Sequence, residues 1–268
     1  MSSELSLDFD MPKSIAMGEE FIREHVKRAE VGGVAIGLSG GLDSSLLAAL
    51  CVRAVGPDRV RGFIMPVRDI TPSGDVRDAR ELSRLLGIEH TYVEIGKIVK
   101  AFMDANPLKD AKARIARGNV MARTRMTLLY YIANLKNLLV AGSGDRSEIL
   151  IGYFTKYGDG GADIFPLGNL YKTQVRELVK YLELPSSVVN KPSSPRFWRG
   201  HVAENEIGLG YGKVDLILHG LLDLNLQPKD VASKADVSLD DIMKVLKMVQ
   251  RSEHKRMMPP LPPPITLM

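Results

Sequence analysis

The stretch Ser39-Gly40-Gly41-Leu42-Asp43-Ser44-Ser45 gathers three hydroxyls, two adjacent glycines and one carboxylate into seven positions. An apolar run, Val34-Ala35-Ile36-Gly37-Leu38, precedes it, and a leucine- and alanine-rich run over 46–52 follows. A buried strand, a glycine turn and a helix start are the geometry that holds a phosphate, because backbone N–H groups converge there and the helix dipole favours an anion. Gly40 and Gly41 let the backbone approach an oxyanion with no Cβ in the way. Asp43 is a carboxylate placed to hold a magnesium ion beside the phosphates. The stretch has neither the Gly-Lys-Ser/Thr ending of a Walker loop nor the Gly-x-Gly-x-x-Gly of a dinucleotide fingerprint. An ordinary strand-to-helix glycine turn is the competing account of a lone Ser-Gly-Gly.

Further along, Leu138-Leu139-Val140-Ala141-Gly142 runs into Ser143-Gly144-Asp145-Arg146-Ser147-Glu148, so a second strand ends in hydroxyl and acidic residues. Glu148 is expected to face Asp43, and two carboxylates from adjacent strand ends make a magnesium cradle. The glycine-rich segment 154–163 reads as a shaped loop with charged tips, since so much glycine suits neither a helix nor a strand interior. Lys172 opens a helix, where a cation opposes the dipole; it is either a tolerated exposed lysine or one that reaches a phosphate. Arg123 is expected near the first turn of a long helix, as a surface residue or one aimed at a ligand over the sheet. The cationic end Arg251-Ser252-Glu253-His254-Lys255-Arg256 suits the C-terminal dipole of the helix before it.

The spacing of apolar residues supplies the elements that must position these groups. Helices are expected over residues 12–30, 46–52, 75–86, 98–103, 119–136 and 173–182, and strands over 34–38, 60–67, 90–95 and 138–142. Strands alternating with helices require a parallel sheet, because parallel neighbours need a crossover. The fold class is therefore α/β: a doubly wound, mostly parallel, Rossmann-like sheet flanked by helices, with its ligand at the carboxyl ends of the strands. Residues 185–212, rich in proline and glycine, read as a long irregular segment and a lid. Extra C-terminal helices follow over 214–222, 229–235 and 239–252. One domain is expected over residues 1–256, with a proline-rich extended tail over 257–268.

The 268 residues are 45% hydrophobic and 25% charged, ordinary for a soluble globular chain with a sizeable core. No apolar run reaches the ~18 residues of a membrane span, and the acidic segment 1–10 has no signal-peptide pattern. The single cysteine, Cys51, excludes an internal disulfide framework or a multi-cysteine zinc site, points to a reducing cytoplasm, and reads as a buried structural thiol. A net charge of +4 with no basic run permits nucleic-acid binding without requiring it, and a site for an anionic nucleotide explains it equally well.

The stretch at 39–45 resembles the PP-loop of N-type ATP pyrophosphatases, adenine-nucleotide alpha-hydrolase-type folds that split ATP into AMP and pyrophosphate. The phrase Gly152-Tyr153-Phe154-Thr155-Lys156-Tyr157-Gly158-Asp159-Gly160-Gly161-Ala162-Asp163 narrows the resemblance, as do Ala122-Arg123-Thr124-Arg125-Met126 and His254-Lys255. Together, over roughly residues 12–256, they resemble ammonia-dependent NAD synthetases. That resemblance implies that Gly37, Leu38, Ser39, Gly40, Gly41, Leu42, Asp43 and Ser44 wrap the ATP phosphates, with Ser143, Lys172 and Ser194 also contacting ATP. It implies magnesium on Asp43 and Glu148, and deamido-NAD on Arg123, Lys156, Asp163, His254 and Lys255. Lys156 and Lys172 would act electrostatically, with no protein nucleophile. ATP, deamido-NAD and free ammonia are the implied substrates of a cytoplasmic homodimer, with neither nucleic acid nor membrane as a partner. The glutamine-using relatives carry a separate amidase domain with its own cysteine, which Cys51 in mid-helix does not supply.

Two features depart from the family pattern. Gly200-His201-Val202-Ala203-Glu204 stands where similar enzymes often read Gly-Gln-Thr-Asp-Glu, which bears on the lid and on ammonia handling. Asp145-Arg146-Ser147 resembles archaeal-type members and not the commoner Asp-His-Ala. Two rival readings share the loop: a PP-loop tRNA-modifying enzyme and a non-catalytic ATP-sensing module. An aromatic content of 6% and the lack of sulfur-carrying cysteines weigh against the first. A module that only senses ATP needs neither Glu148 nor Lys172.

Overall fold

The computed structural model describes residues 5–108, 110 and 112–264. Helix α1 (Met11–Arg28) starts where the Asp10 carboxylate accepts from the Lys13 N–H at 2.9 Å, with Pro12 inside its first turn. The alternating core follows as β1 (Gly33–Gly37), α2 (Leu42–Val55), β2 (Val60–Ile64), α3 (Ser73–Leu85), β3 (Glu89–Tyr92), α4 (Gly96–Ala105), α5 (Arg114–Lys136) and β4 (Leu138–Ala141). The strands form one parallel sheet in the order β3-β2-β1-β4. A single parallel bridge, Ala141 to Ile164, extends it past β4. Crossovers run one way from β1 to β3 and the other way to β4, so the C-terminal ends of β1 and β4 diverge into a crevice. In open α/β sheets that switch point is where ligands bind.

Burial of β1 on both faces explains its continuous apolar sequence. Val34 and Ile36 pack with Leu46, Leu47 and Leu50 of α2, with Ile22 of α1 and with Leu82 of α3. Ala35 faces the other way, among Met126, Leu129 and Ala133 of α5 and Val99 of α4. The sheet is doubly wound, as expected. Each fully buried leucine in this core contributes about 1.5–3 kcal/mol over leaving it in water. Cys51 lies inside α2, fully buried, and burial pushes its thiol up to about 12, which suits an inert structural cysteine.

Beyond the sheet lie α6 (Arg146–Ile151), α7 (Lys172–Tyr181), α8 (Ser186–Val189), α9 (Ala203–Ile207), α10 (Tyr211–Leu218), α11 (Pro228–Ala235), α12 (Leu239–Arg251) and α13 (Glu253–Arg256). A π-helical turn, His219–Asp223, continues α10. The last helices close a second apolar cluster with Ile151 of α6, around Val214, Ile217, Ile242 and Val245. Residues 258–264 carry neither helix nor strand, and the rest of the expected tail, like residues 1–4 of the acidic N-terminal segment, lies outside the described residues. No described helix is long and apolar enough to cross a membrane.

Strands β2 and β3 end earlier than the expected 67 and 95, and three further expectations change near the crevice. Helix α2 starts at Leu42, not after the loop, because the Ser45 hydroxyl donates to the Gly41 carbonyl at 2.7 Å and Ser44 does so at 3.2 Å. Helix α5 starts at Arg114, so Arg123 sits in its middle and not in its first turn. Gly118 is inside that helix because Phe197 presses on it: an added Cβ would lie 2.2 Å from the ring. Finally, residues 185–212 are not irregular throughout. They contain α8, α9 and the start of α10, and partly buried ion pairs fasten them to α3: Lys191 Nζ is 2.9 Å from Asp75 and 2.6 Å from Asp78, and Arg196 Nε is 2.8 Å from Asp75.

Candidate active site

The switch-point crevice is a pocket of about 260 Å³ whose wall includes Gly37, Leu38, Ser39, Asp43, Ser44, Ser143, Glu148 and Ser194. Most of the residues expected around ATP therefore share one cavity. Gly40, Gly41 and Leu42 form the turn at its rim. Gly40 has φ 71°, and a Cβ there would meet the Asp75 carbonyl at 2.1 Å. The same turn gives its Gly40 carbonyl to Lys191 Nζ at 2.6 Å, so loop, α3 and the 185–212 segment form one unit. Gly40→Ala should therefore lose about 1–3 kcal/mol of stability and weaken nucleotide binding together. A urea midpoint and an ATP titration check both, and an unchanged protein would mean the turn relaxes freely. The first N–H groups of α2 have no intrahelical acceptor and sit at this turn.

At the floor of the pocket lies a buried charge cluster. Lys172 is fully buried, and its Nζ is 2.8 Å from Asp43 Oδ1, 2.9 Å from Glu148 Oε1 and 2.6 Å from Asp145 Oδ2. The position that opposes the α7 dipole is thus answered by three carboxylates, not by solvent. Asp215, also fully buried, completes the start of α7 by accepting from the Thr173 N–H at 2.9 Å and the Thr173 hydroxyl at 2.8 Å. Asp145 caps α6, its Oδ1 accepting from the Glu148 N–H at 2.9 Å. Its Oδ2 has no hydrogen bond of proper direction, although Lys172 is so near.

One ammonium does not neutralise three carboxylates. Burial, and then repulsion from Asp43 working against the pull of Lys172, pushes Asp145 up to about 6. Glu148 is raised well above the usual carboxylate range by burial and its acidic neighbours. Lys172 is raised well above its ordinary value: burial disfavours its charge, and Asp145, Asp43 and Glu148 more than compensate. Oxygens of Asp43, Asp145 and Glu148 come within 4.8 Å of one another. An all-oxygen, net-acidic set with one carboxylate oxygen lacking a proper hydrogen bond fits a hard divalent cation such as magnesium. Asp145 was not among the metal residues expected from sequence, although Ser143-Gly144-Asp145 sets a hydroxyl, a glycine and an acid in the same order as Ser39-Gly40-Gly41-Leu42-Asp43, at a shorter spacing.

Arg123, Lys156, His254 and Lys255 come together beside this site, around the loop that follows α6. Lys156 Nζ donates to the His254 carbonyl at 2.6 Å, and Arg123 Nε donates to the Lys156 carbonyl at 3.2 Å. Lys255 Nζ donates to the carbonyls of Gly152 and Phe154 at 2.7 and 2.8 Å, so this cation also closes the C-terminus of α6. Asp163 lies at the end of the same loop, with both of its oxygens engaged within the fold. Its Oδ2 accepts from the Val140 N–H at 2.7 Å and its Oδ1 from the Tyr130 hydroxyl at 2.8 Å, which ties the glycine-rich loop to β4.

The departing residue His201 is buried, stacked on Trp198 with ring centroids 3.5 Å apart, and its Nε2 is 2.8 Å from Glu206. The Tyr153 hydroxyl donates to the same Glu206 carboxylate at 2.7 Å, and the Ser194 hydroxyl donates to the His201 carbonyl. This ring therefore anchors the segment that carries Ser194. Arg125, Tyr153 and Arg196 also line the pocket without having been picked out for it from sequence; only their side-chain contacts reveal them.

The model of the NAD synthase family matches residues 14–259. An NH(3)-dependent NAD(+) synthetase of Hyperthermus butylicus is 47% identical over 97% of this chain and 93% of its own. Among solved structures, the chain is similar to an NMN synthetase from Francisella tularensis at 34% identity and a TM-score of 0.84, covering 95% of this chain and 99% of that one. It is also similar to an NH3-dependent NAD synthetase from Campylobacter jejuni at 33% identity and a TM-score of 0.78, covering 95% and 100%.

Proposed function

The chain belongs to the NAD synthase family, and we propose that it is a ligase that converts deamido-NAD, ATP and free ammonia into NAD, AMP and pyrophosphate. The observation that carries this reading is the union, at one switch point, of a left-handed glycine turn at a helix start with a carboxylate cluster held by a buried lysine. A carboxylate resists ammonia because its oxygen is a very poor leaving group. In the first step a nicotinate carboxylate oxygen bonds to the α-phosphorus while the bond to pyrophosphate breaks. In the second, ammonia attacks the acyl carbon, AMP leaves with the activated oxygen, and the nitrogen gives up one proton to solvent.

The residues present accomplish this by positioning and by charge. The turn at Gly40 and the start of α2 offer N–H groups to phosphate oxygens, and the hydroxyls of Ser39, Ser44, Ser143 and Ser194 add donors. Lys172 keeps Asp43, Asp145 and Glu148 converged, so its influence on ATP passes through them. Those carboxylates would hold magnesium, which supplies positive charge to the phosphate oxygens when bound. Arg123, Lys156 and Lys255 form a cationic face for the dinucleotide, with Asp163 and His254 also in contact with it. The enzyme works as a homodimer in the cytoplasm, with the dinucleotide near the subunit interface.

Turnover with ATP, magnesium and deamido-NAD, with ammonium or glutamine in parallel, tests this reading. NAD is expected with ammonium and not with glutamine. The likeness to a protein described as an NMN synthetase gives a second acceptor, nicotinate mononucleotide, to run beside deamido-NAD. Pyrophosphate release without either amide would point to another acceptor, and no pyrophosphate at all would favour an ATP sensor.

Magnesium binding should also depend on pH. With Asp145 raised to about 6, the folded protein holds protons between its ordinary carboxylate value and about 6 that the unfolded chain has lost. Metal-free stability therefore falls as pH rises through that window. Magnesium must displace those protons, so the melting-temperature gain on adding it should grow from about pH 5 to about pH 7. A gain that is flat across this range would remove the cluster as the metal site.

A further inference from the structure

A second groove, of about 730 Å³, opens beside the nucleotide pocket and shares Pro66, Thr71 and Val76 with its wall. It is lined by four arginines, Arg68, Arg77, Arg80 and Arg84, with Glu81 as its one carboxylate. The spacing of 77, 80 and 84 puts three of them on one face of α3, and Arg68 lies on the segment after β2. Across the groove, Tyr92 of the edge strand β3 is 46% exposed, with the Arg80 guanidinium 5.1 Å from its ring centre. Arg77 lies 3.5 Å from Asp78, which Lys191 also engages. Among the described residues, Arg68, Arg80 and Arg84 have no acidic partner within ion-pair distance, and Glu81 pairs with none of them. Next to Arg68 in sequence, Asp69 gives its carbonyl to Arg199 Nε at 2.7 Å.

Glu94 also accepts from the Arg68 backbone N–H at 3.1 Å, but the arginines still outnumber the carboxylates. Like charges gathered along a groove repel one another, and the packing of α3 does not require them, since these side chains are exposed. A cleft with charge of one sign raises the local concentration of the opposite ion and the rate at which it arrives. We propose that this groove is the approach channel for ATP: it captures the anionic nucleotide and delivers it to the pocket, and takes no part in the bond changes. The proposal rests on reading the adjoining pocket as the ATP site. It assigns Arg68, Arg80 and Arg84 to the association step alone, so their loss should slow ATP binding while kcat stays as it is.

The experiment is stopped-flow association of methylanthraniloyl-ATP with the full chain in low and high KCl. It compares wild type with the triple variant Arg68→Gln/Arg80→Gln/Arg84→Gln. A second triple variant, Lys27→Gln/Lys229→Gln/Lys247→Gln, removes the same charge from exposed positions on α1, α11 and α12. Wild-type association should slow steeply with salt. The groove variant should associate about tenfold more slowly at low salt, with a shallow salt dependence and an unchanged kcat, the lower end of what steering by a charged cleft supplies. The control triple should behave as wild type. A groove variant that keeps the wild-type rate and salt slope, or a control that loses as much, overturns the channel while leaving the ATP site standing. Failure of wild type to bind the analogue at any salt overturns the ATP reading itself, and the channel with it.

Discussion

Lys172→Met should lose about 3–5 kcal/mol of folding stability and nearly all turnover, the first of these being the larger departure from ordinary substitution effects. Methionine fills much of the same volume, so the loss is not one of packing. Asp43, Asp145 and Glu148 are left facing one another with no cation, and Asp145 is fully buried. Removing one side of a buried ion cluster costs far more than the cluster contributes, because the remaining charges stay desolvated and unpaired. Urea denaturation without magnesium measures the loss, and magnesium should recover part of it by supplying positive charge to the same oxygens. A variant as stable as wild type would mean that the carboxylates are neutral at working pH, and the electrostatic role of Lys172 would fall with that.

Asp43→Asn and Glu148→Gln should do the opposite to stability while also disabling the enzyme. Each removes one of three carboxylates that compete for one ammonium, and Glu148 is already raised well above its ordinary range by burial and by its neighbours. The folded state is therefore expected to be unchanged or stabilised at neutral pH. Turnover should fall by about 10²–10³, the loss typical of one preorganised electrostatic contact, equivalent to about 2.7–4 kcal/mol of barrier. Paired melting curves and NAD-formation rates separate the two effects. A variant that loses stability and activity together would be a folding defect, and one that keeps full activity would take that carboxylate out of the site.

The carboxylates of this cluster lie next to strand ends, whereas the lysine that joins them comes from a distant helix. Local signals announced the turn at Gly40, the strand ends and the parallel sheet, because each is encoded within a few neighbouring residues: glycine between an apolar strand and an apolar helix, and apolar runs of strand length. Asp43 and Glu148 were legible for the same reason. What joins them was not. Lys172 is 129 positions from Asp43 in sequence and 24 from Glu148, so no spacing rule shows that its ammonium fills the gap between them. Asp145 looks in sequence like a helix cap, which it also is, and its second oxygen acquires a function only from α7. Likewise, proline and glycine made residues 185–212 look loose, because composition cannot show that Lys191 and Arg196 reach back to Asp75. The arginine face of α3 looks like an ordinary solvated helix until Arg68 and Tyr92 close the groove opposite it.

Oxygen transfer is the most direct measure of whether this site activates a carboxylate by giving it AMP. Deamido-NAD labelled with 18O in its nicotinate carboxylate would be turned over with ATP, magnesium and ammonium, and the products analysed by mass spectrometry. One labelled oxygen is expected in AMP, the other in the amide of NAD, and none in pyrophosphate. Label in pyrophosphate, or NAD formed alongside unlabelled AMP, would contradict transfer of AMP to the carboxylate at the crevice between β1 and β4.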